Sequence, residues 1–157
     1  MRISLWYIGK NKLPFIDEGI KTYSKRIAHY CRFEVKMFKH VKNSESLPAA
    51  ELLKREAEVY LNELQAGDSL ILLDERGKEF DSRKFAAFLE QKQLHSTKHL
   101  IFAIGGAYGF SDELKKKASG KISLSKMTFS HQLIRVIFLE QLYRGFTIIK
   151  GEKYHND

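Results

Sequence analysis

The chain alternates between short apolar runs and longer amphipathic stretches. Residues 2–8 (RISLWYI) are rich in β-formers and predict a buried first strand. A turn at Gly9–Lys12 follows. Phe15, Ile16, Gly19, Ile20, Tyr23 and Ile27 then recur at helical spacing with Lys21, Lys25 and Arg26 outside, which predicts a helix over Pro14–Tyr30. Phe33, Val35 and Met37 alternate within FEVKMFKHV, the pattern of a second strand. Asn43–Pro48 is a polar loop, Ala49–Leu64 a helix rich in Ala, Leu, Glu and Lys, and Gly67-Asp68 a break. Ser69–Asp74 (SLILLD) and Lys98–Ile104 (KHLIFAI) are continuous apolar runs, as expected of strands covered on both faces. Between them lie a turn at Glu75–Lys78 and a helix over Ser82–Gln93. A short basic helix over Ser111–Ala118 and a last strand at Ile122–Leu124 complete the series. The order βαβαβαβαβα predicts one α/β domain over 1–157, a mainly parallel sheet with helices on both faces.

The C-terminal stretch departs from this rhythm. A polar loop (Ser125, Lys126, Thr128, Ser130, His131) runs into a helix with Ser130 as a candidate N-cap. The helix is apolar at 133, 134, 136–139 and 142, wider than one amphipathic stripe, so it needs cover from its own core and from a partner subunit. The chain closes on a tail, GEKYHND, with tyrosine beside histidine.

At 157 residues, with 43% hydrophobic and 29% charged positions, the chain can bury a sizeable core. The 27 basic and 19 acidic residues give a net charge of +8, which favours a polyanionic partner such as nucleic acid. One cysteine, Cys31, excludes an internal disulfide framework and reads as a free thiol in a reducing compartment. No stretch approaches a membrane span, and Ile3–Ile8 is too short for a signal peptide, so a cytoplasmic protein is expected.

Ligands of open α/β sheets bind outside the carboxyl ends of strands. Three loops lie there: Leu73–Lys78, Ile104–Gly109 and Leu124–Phe129. Neither G-x-G-x-x-G nor a P-loop occurs, because Gly105 and Gly106 are adjacent, and GGAYG alone is more often a tight strand-helix turn than a ligand loop. The 6 histidines are scattered without metal-ligand spacing, so no metal is expected. Ser130, His131 and Glu140 lack the context of a nucleophilic site.

LDERGK, IGGAYG, ISLSKMTFSHQLIRVIFLEQLYR and the terminal GEKYHND together resemble the bacterial RlmH family, the pseudouridine N3-methyltransferases of large-subunit ribosomal RNA within the SPOUT superfamily. The resemblance covers the whole chain. It implies a deep trefoil knot in the region of about 70–157, a homodimer packed through the knot, and S-adenosyl-L-methionine as cofactor. The implied cofactor contacts are Leu73, Gly105, Leu124, Ser125, Lys126, Met127, Thr128 and Phe129. The implied substrate is a pseudouridine in a hairpin loop of 23S rRNA in the assembled 70S ribosome. Phosphate contacts must then come from basic surface, with Lys10, Lys12, Lys115, Lys116, Lys117, Lys121 and Lys126 as candidates. His155, matching the family's tail histidine, is the candidate general base for the N3 proton, with Tyr154 positioning it and Arg144 steadying the substrate. In a dimer, one subunit's tail is a candidate to complete the other's cofactor pocket. The competing readings are a SPOUT methyltransferase of another RNA, such as transfer RNA, and a non-catalytic RNA- or ribosome-binding factor.

Overall fold

The computed structural model describes residues 1–156; Asp157, the last residue of the expected domain and tail, lies outside them. The elements are β1 (Arg2–Ile8), α1 (Pro14–Ile27), β2 (Arg32–Phe38), α2 (Ala49–Leu61), β3 (Asp68–Glu79), α3 (Ser82–Leu94), β4 (His99–Ile104), α4 (Asp112–Lys117), β5 (Gly120–Ser123) and α5 (Leu133–Ile149). The five strands form one sheet in the order β2-β1-β4-β3-β5. Every pairing is parallel, so the expected mainly parallel sheet is wholly parallel.

Strand alternation divides the core into two. Ile3, Leu5, Tyr7, Leu100, Phe102 and Ile104 face a layer that includes Phe85 and Leu89 of α3 and Phe138, Leu142 and Phe146 of α5. Trp6, Ile8, Leu70, Leu72, Ile101 and Ala103 face Ala57 and Tyr60 of α2 and Leu114 of α4. Because β4 is central and covered on both sides, all six of its residues are buried, which is why it carries no alternation in sequence. Close helix packing is set by small residues. A Cβ on Gly19 would lie 2.8 Å from Val136, and one on Gly145 2.8 Å from Leu89, so α5 seats directly on α1 and α3.

Two elements differ from the sequence pattern. β3 does not end at Asp74. Its pairing with β5 shifts register so that Ile122 opposes both Leu73 and Lys78, and residues 74–77 bulge out before the strand resumes. Gly77 permits this, since a Cβ there would lie 2.6 Å from the Ile122 backbone. Meanwhile α5 runs on to Ile149, because Gly145, Phe146 and Thr147 are buried in the same layer. Its start differs from the expected cap: Gln132, not Ser130, is the N-cap and makes no side-chain cap bond, while Ser130 Oγ, in the turn ahead of it, accepts from the Leu133 N–H at 3.1 Å.

Arg135 is the largest fully buried side chain, 1% exposed. Its guanidinium donates to the Ile8 carbonyl at 3.1 Å, the Gly9 carbonyl at 3.2 Å and Asn11 Oδ1, and lies 3.9 Å from the centre of the Tyr7 ring. A charge this deep is tolerable only when it is hydrogen-bonded, and these contacts pin the start of α5 to the end of β1.

Candidate functional site

A cavity of about 650 Å³ opens at the carboxyl ends of β3, β4 and β5. Leu73, Gly105, Leu124, Ser125, Met127, Thr128 and Phe129 all line it, so three separate loops converge as expected from strand-end position. Lys126 does not; its side chain points outward, 3.9 Å from Glu79. The turn after β4 closes on itself through a Gly109 N–H to Gly106 carbonyl bond of 3.1 Å, with Gly109 at φ +78. Gly105 has no room for a side chain, because a Cβ would lie 2.7 Å from the Gly109 carbonyl oxygen. The loop after β5 is shaped by Ser125, whose Oγ accepts from the Met127 N–H at 2.9 Å. Thr128 donates to Glu75 at 3.1 Å and ties this loop to the β3 bulge.

The lining combines apolar side chains (Leu73, Ile104, Ile122, Leu124, Phe129, Ile134) and the backbone of two tight turns with four charged residues, Asp74, Glu75, Arg76 and Lys115. That combination, at this volume, fits a flat heteroaromatic ring read by main-chain groups, as in a nucleoside cofactor. Among the described residues, no group of three or more His, Cys, Asp or Glu is placed to hold a metal ion.

Arg144, Tyr154 and His155 form a second cluster, away from the cavity and around Glu140. Arg144 holds Glu140 Oε1 through Nη2 at 2.5 Å and Nε at 3.1 Å. Tyr154 donates to the same oxygen at 3.1 Å, and the guanidinium lies 4.8 Å from the Tyr154 ring centre. Arg144 Nη1 donates to His155 Nδ1 at 3.3 Å. Burial, then hydrogen bonding to Tyr23 and the Glu140 charge, push the Tyr154 hydroxyl well above its usual range, so it stays a donor at neutral pH. The tail is anchored as well: the Tyr30 hydroxyl donates to Glu152 at 2.6 Å, and Tyr143 meets Tyr154 edge-on at 4.7 Å.

The two clusters sit at opposite ends of α5. Ile134 lines the cavity, and Arg144 lies ten residues on, about 15 Å along the axis at ~1.5 Å per residue. Sequence reasoning missed Glu140 as the organiser of the second cluster, although its i, i+4 spacing from Arg144 was legible. It also gave His131 no role, yet this residue lines the cavity. Burial first, then Arg135, Lys12 and His40, lower its pKa and favour the neutral ring.

Residues 1–155 of this chain match the model of the family described as "Predicted SPOUT methyltransferase". The chain belongs to the SPOUT methyltransferases. Proteins named ribosomal RNA large subunit methyltransferase H are similar to it from end to end. The one from Parabacteroides distasonis is 48% identical over 157 residues, covering all of both chains. That from Cytophaga hutchinsonii is 49% identical over 156 residues, 99% of this chain and 100% of its own. That from Flavobacterium johnsoniae is 46% identical over 156 residues, 99% of each. The family expected from the LDERGK, IGGAYG and C-terminal motifs is therefore the family found.

Proposed function

We propose that the protein is a cytoplasmic, homodimeric enzyme that methylates N3 of a pseudouridine in 23S rRNA of the assembled ribosome, with S-adenosyl-L-methionine bound in the 650 Å³ cavity. The observation that carries this reading is the convergence of three sequence-distant loops on one cavity, in a chain similar over its whole length to proteins named for methylation of large-subunit rRNA. The chain acts as one domain over 1–157. Its part from about residue 70 carries the trefoil knot.

Leu73, Gly105 and the 124–129 loop hold the cofactor, with Lys126 contributing backbone. The bound cofactor supplies a methyl group already activated on a sulfonium, so the protein's task is alignment and removal of the N3 proton. His155 takes that proton, and Arg144, already charged and braced by Glu140, steadies the uracil carbonyl or a phosphate. For His155 to act through Nδ1, Arg144 Nη1 must let go of that lone pair and turn to substrate. Tyr154 packs beside both and fixes their orientation. About 15 Å of helix separates a subunit's cavity from its own tail cluster. A second copy therefore supplies the tail that completes each pocket. The incompletely covered side chains Ile134, Ile137, Tyr143 and Ile148 of α5, and exposed Phe15 of α1, support such a dimer.

The test is methyl transfer from labelled cofactor to 70S ribosomes, free 50S subunits and bulk transfer RNA, with the modified base identified. Label as N3-methylpseudouridine in ribosomes supports the reading. Label in transfer RNA discards the ribosomal substrate, and no label with intact cofactor binding leaves a non-catalytic binder. His155→Ala should slow single-turnover transfer by about 10²–10⁴-fold. An unchanged rate would remove His155 as base and leave N3 to lose its proton to solvent.

A further inference from the structure

The loops after β1 and β2 make a basic notch beside the cavity that the reaction above does not use. Residues 9–12 leave the carboxyl end of β1 and residues 39–42 that of β2. They carry Lys10, Lys12, Lys39, His40 and Lys42, all exposed, and no acidic residue. The loops touch, since a Cβ on Gly9, at φ +89, would run into the His40 imidazole. Lys12 is tied to the start of α5 by its own N–H on Gln132 Oε1 at 2.7 Å, next to His131 at the cavity wall. Beneath lies the Arg135 guanidinium, facing carbonyls and Asn11 rather than a carboxylate. Asp17 is engaged by the Asn11 amide at 2.6 Å. The lowered pKa of His131 registers the same field, with Arg135, Lys12 and His40 adding to burial. Among the described residues, no ion pair joins Lys10, Lys12, Lys39 or Lys42 to a carboxylate.

Sheet order places β1 next to β4, with β2 just beyond. At ~4.8 Å between strands, the notch begins about 5–10 Å from the Gly105 turn. A cofactor carboxylate would need one such group among the lining residues, where Arg76 and Lys115 already stand. Here Lys12, His40 and the other lysines stand outside the lining and spread over two loops, which is the layout of a polyanion track. We propose that this notch binds the backbone phosphates of the RNA strand whose base enters the cavity, with Lys12 and His40 at its centre and Lys10, Lys39 and Lys42 around them. The assignment rests on the RNA-methyltransferase reading above. Such contacts fix the strand's register without reading its sequence.

The test compares wild type, the exposed-residue variant Lys12→Ala/Lys39→Ala/Lys42→Ala, and Lys54→Ala/Lys98→Ala, on α2 and just ahead of β4, as a control. Ribosome KM and kcat are measured across a salt series, and cofactor Kd on the protein alone. The notch variant should raise KM about tenfold or more and flatten the salt slope by ~0.7 per lost phosphate contact. Its saturated kcat and cofactor Kd should stay within about twofold of wild type, and the control should keep its KM. An unchanged KM and slope, or equal effects in the control, would overturn the assignment. So would a weakened cofactor Kd, which would make the notch part of the cofactor site. If wild type transfers no methyl to ribosomes, the functional reading fails on its own. Filter binding of the same variants to a 23S rRNA hairpin then decides the notch by the same slope criterion.

Discussion

The two ends of the sheet present opposite kinds of chemistry. At the carboxyl end the candidate site is built largely of backbone and apolar side chains, open to a 650 Å³ cavity. At the amino end lies a set that looks more like catalysis: Ser4 Oγ is 2.6 Å from His99 Nε2, and His99 Nδ1 is 2.9 Å from Asp68. The resemblance to a serine-histidine-aspartate relay ends with the protons. Ser4 has one, and it goes to Glu34 at 2.9 Å, so its oxygen must accept from His99 Nε2–H. The nitrogen facing the serine thus carries the proton and cannot act as its base. Arg2 donates to Nδ1 at 2.8 Å, which a neutral ring accepts; the Asp68 contact at the same nitrogen becomes a hydrogen bond only when the ring is charged. Ser4 is 0% exposed and lies off the walls of the nearby cleft of about 340 Å³. Short distances between the right residue types do not make a site; access and proton direction do.

Gly105→Ala should break the carboxyl end most sharply. Its methyl would meet the Gly109 carbonyl, which belongs to a turn with no slack, so the turn must move into the cavity. Cofactor affinity should fall by about 100-fold or more, the equivalent of ~2.7 kcal/mol, read by calorimetry. Retained affinity would mean that the β4 turn is not a wall of the cofactor site. Ser4→Ala probes the other end. It should leave methyl transfer within about twofold while costing ~1–2 kcal/mol of stability in urea, since Glu34 and His99 each lose a buried partner. A large loss of transfer at unchanged stability would reverse the contrast between the two ends.

Much of this layout was legible in the sequence. Continuous apolar runs and intervening helices are local signals, and they placed all five strands and five helices. The strand-end rule then chose the three loops that do converge, and the long C-terminal motifs carried the family. What local pattern could not carry was pairing. The bulge at 74–77 exists because β5 docks twice against β3, and ERGK on its own reads as a turn. Arg135 reads as a leftover polar residue on an apolar helix. Its burial depends on the Ile8 and Gly9 carbonyls, more than 120 residues earlier in the chain. Arg144 and the tail were chosen by resemblance, whereas Glu140, which binds Arg144 and Tyr154 together, emerges only from the assembled cluster.

The smallest expected effect is a pH dependence assigned to the amino end. Burial is the main cause that lowers the His99 pKa below its usual 6.5, with Arg2 adding to it and the Asp68 and Glu34 carboxylates opposing. The unfolded chain then binds a proton near pH 6.5 that the folded chain refuses until lower pH. His99 therefore contributes stability that is fully present above about pH 6.5 and is lost as the pH falls through its folded pKa. The slope from this one ring is at most ~1.4 kcal/mol per pH unit. His131, at the cavity, shifts in the same direction but is exposed, so solvent weakens its share. Urea midpoints between pH 5 and 8 should fall on the acid side for wild type and fall less for His99→Asn, which cannot take up the proton. Parallel curves for the two proteins would mean that His99 trades Arg2 for Asp68 without cost, and that the amino end is as adaptable as the loops at the other.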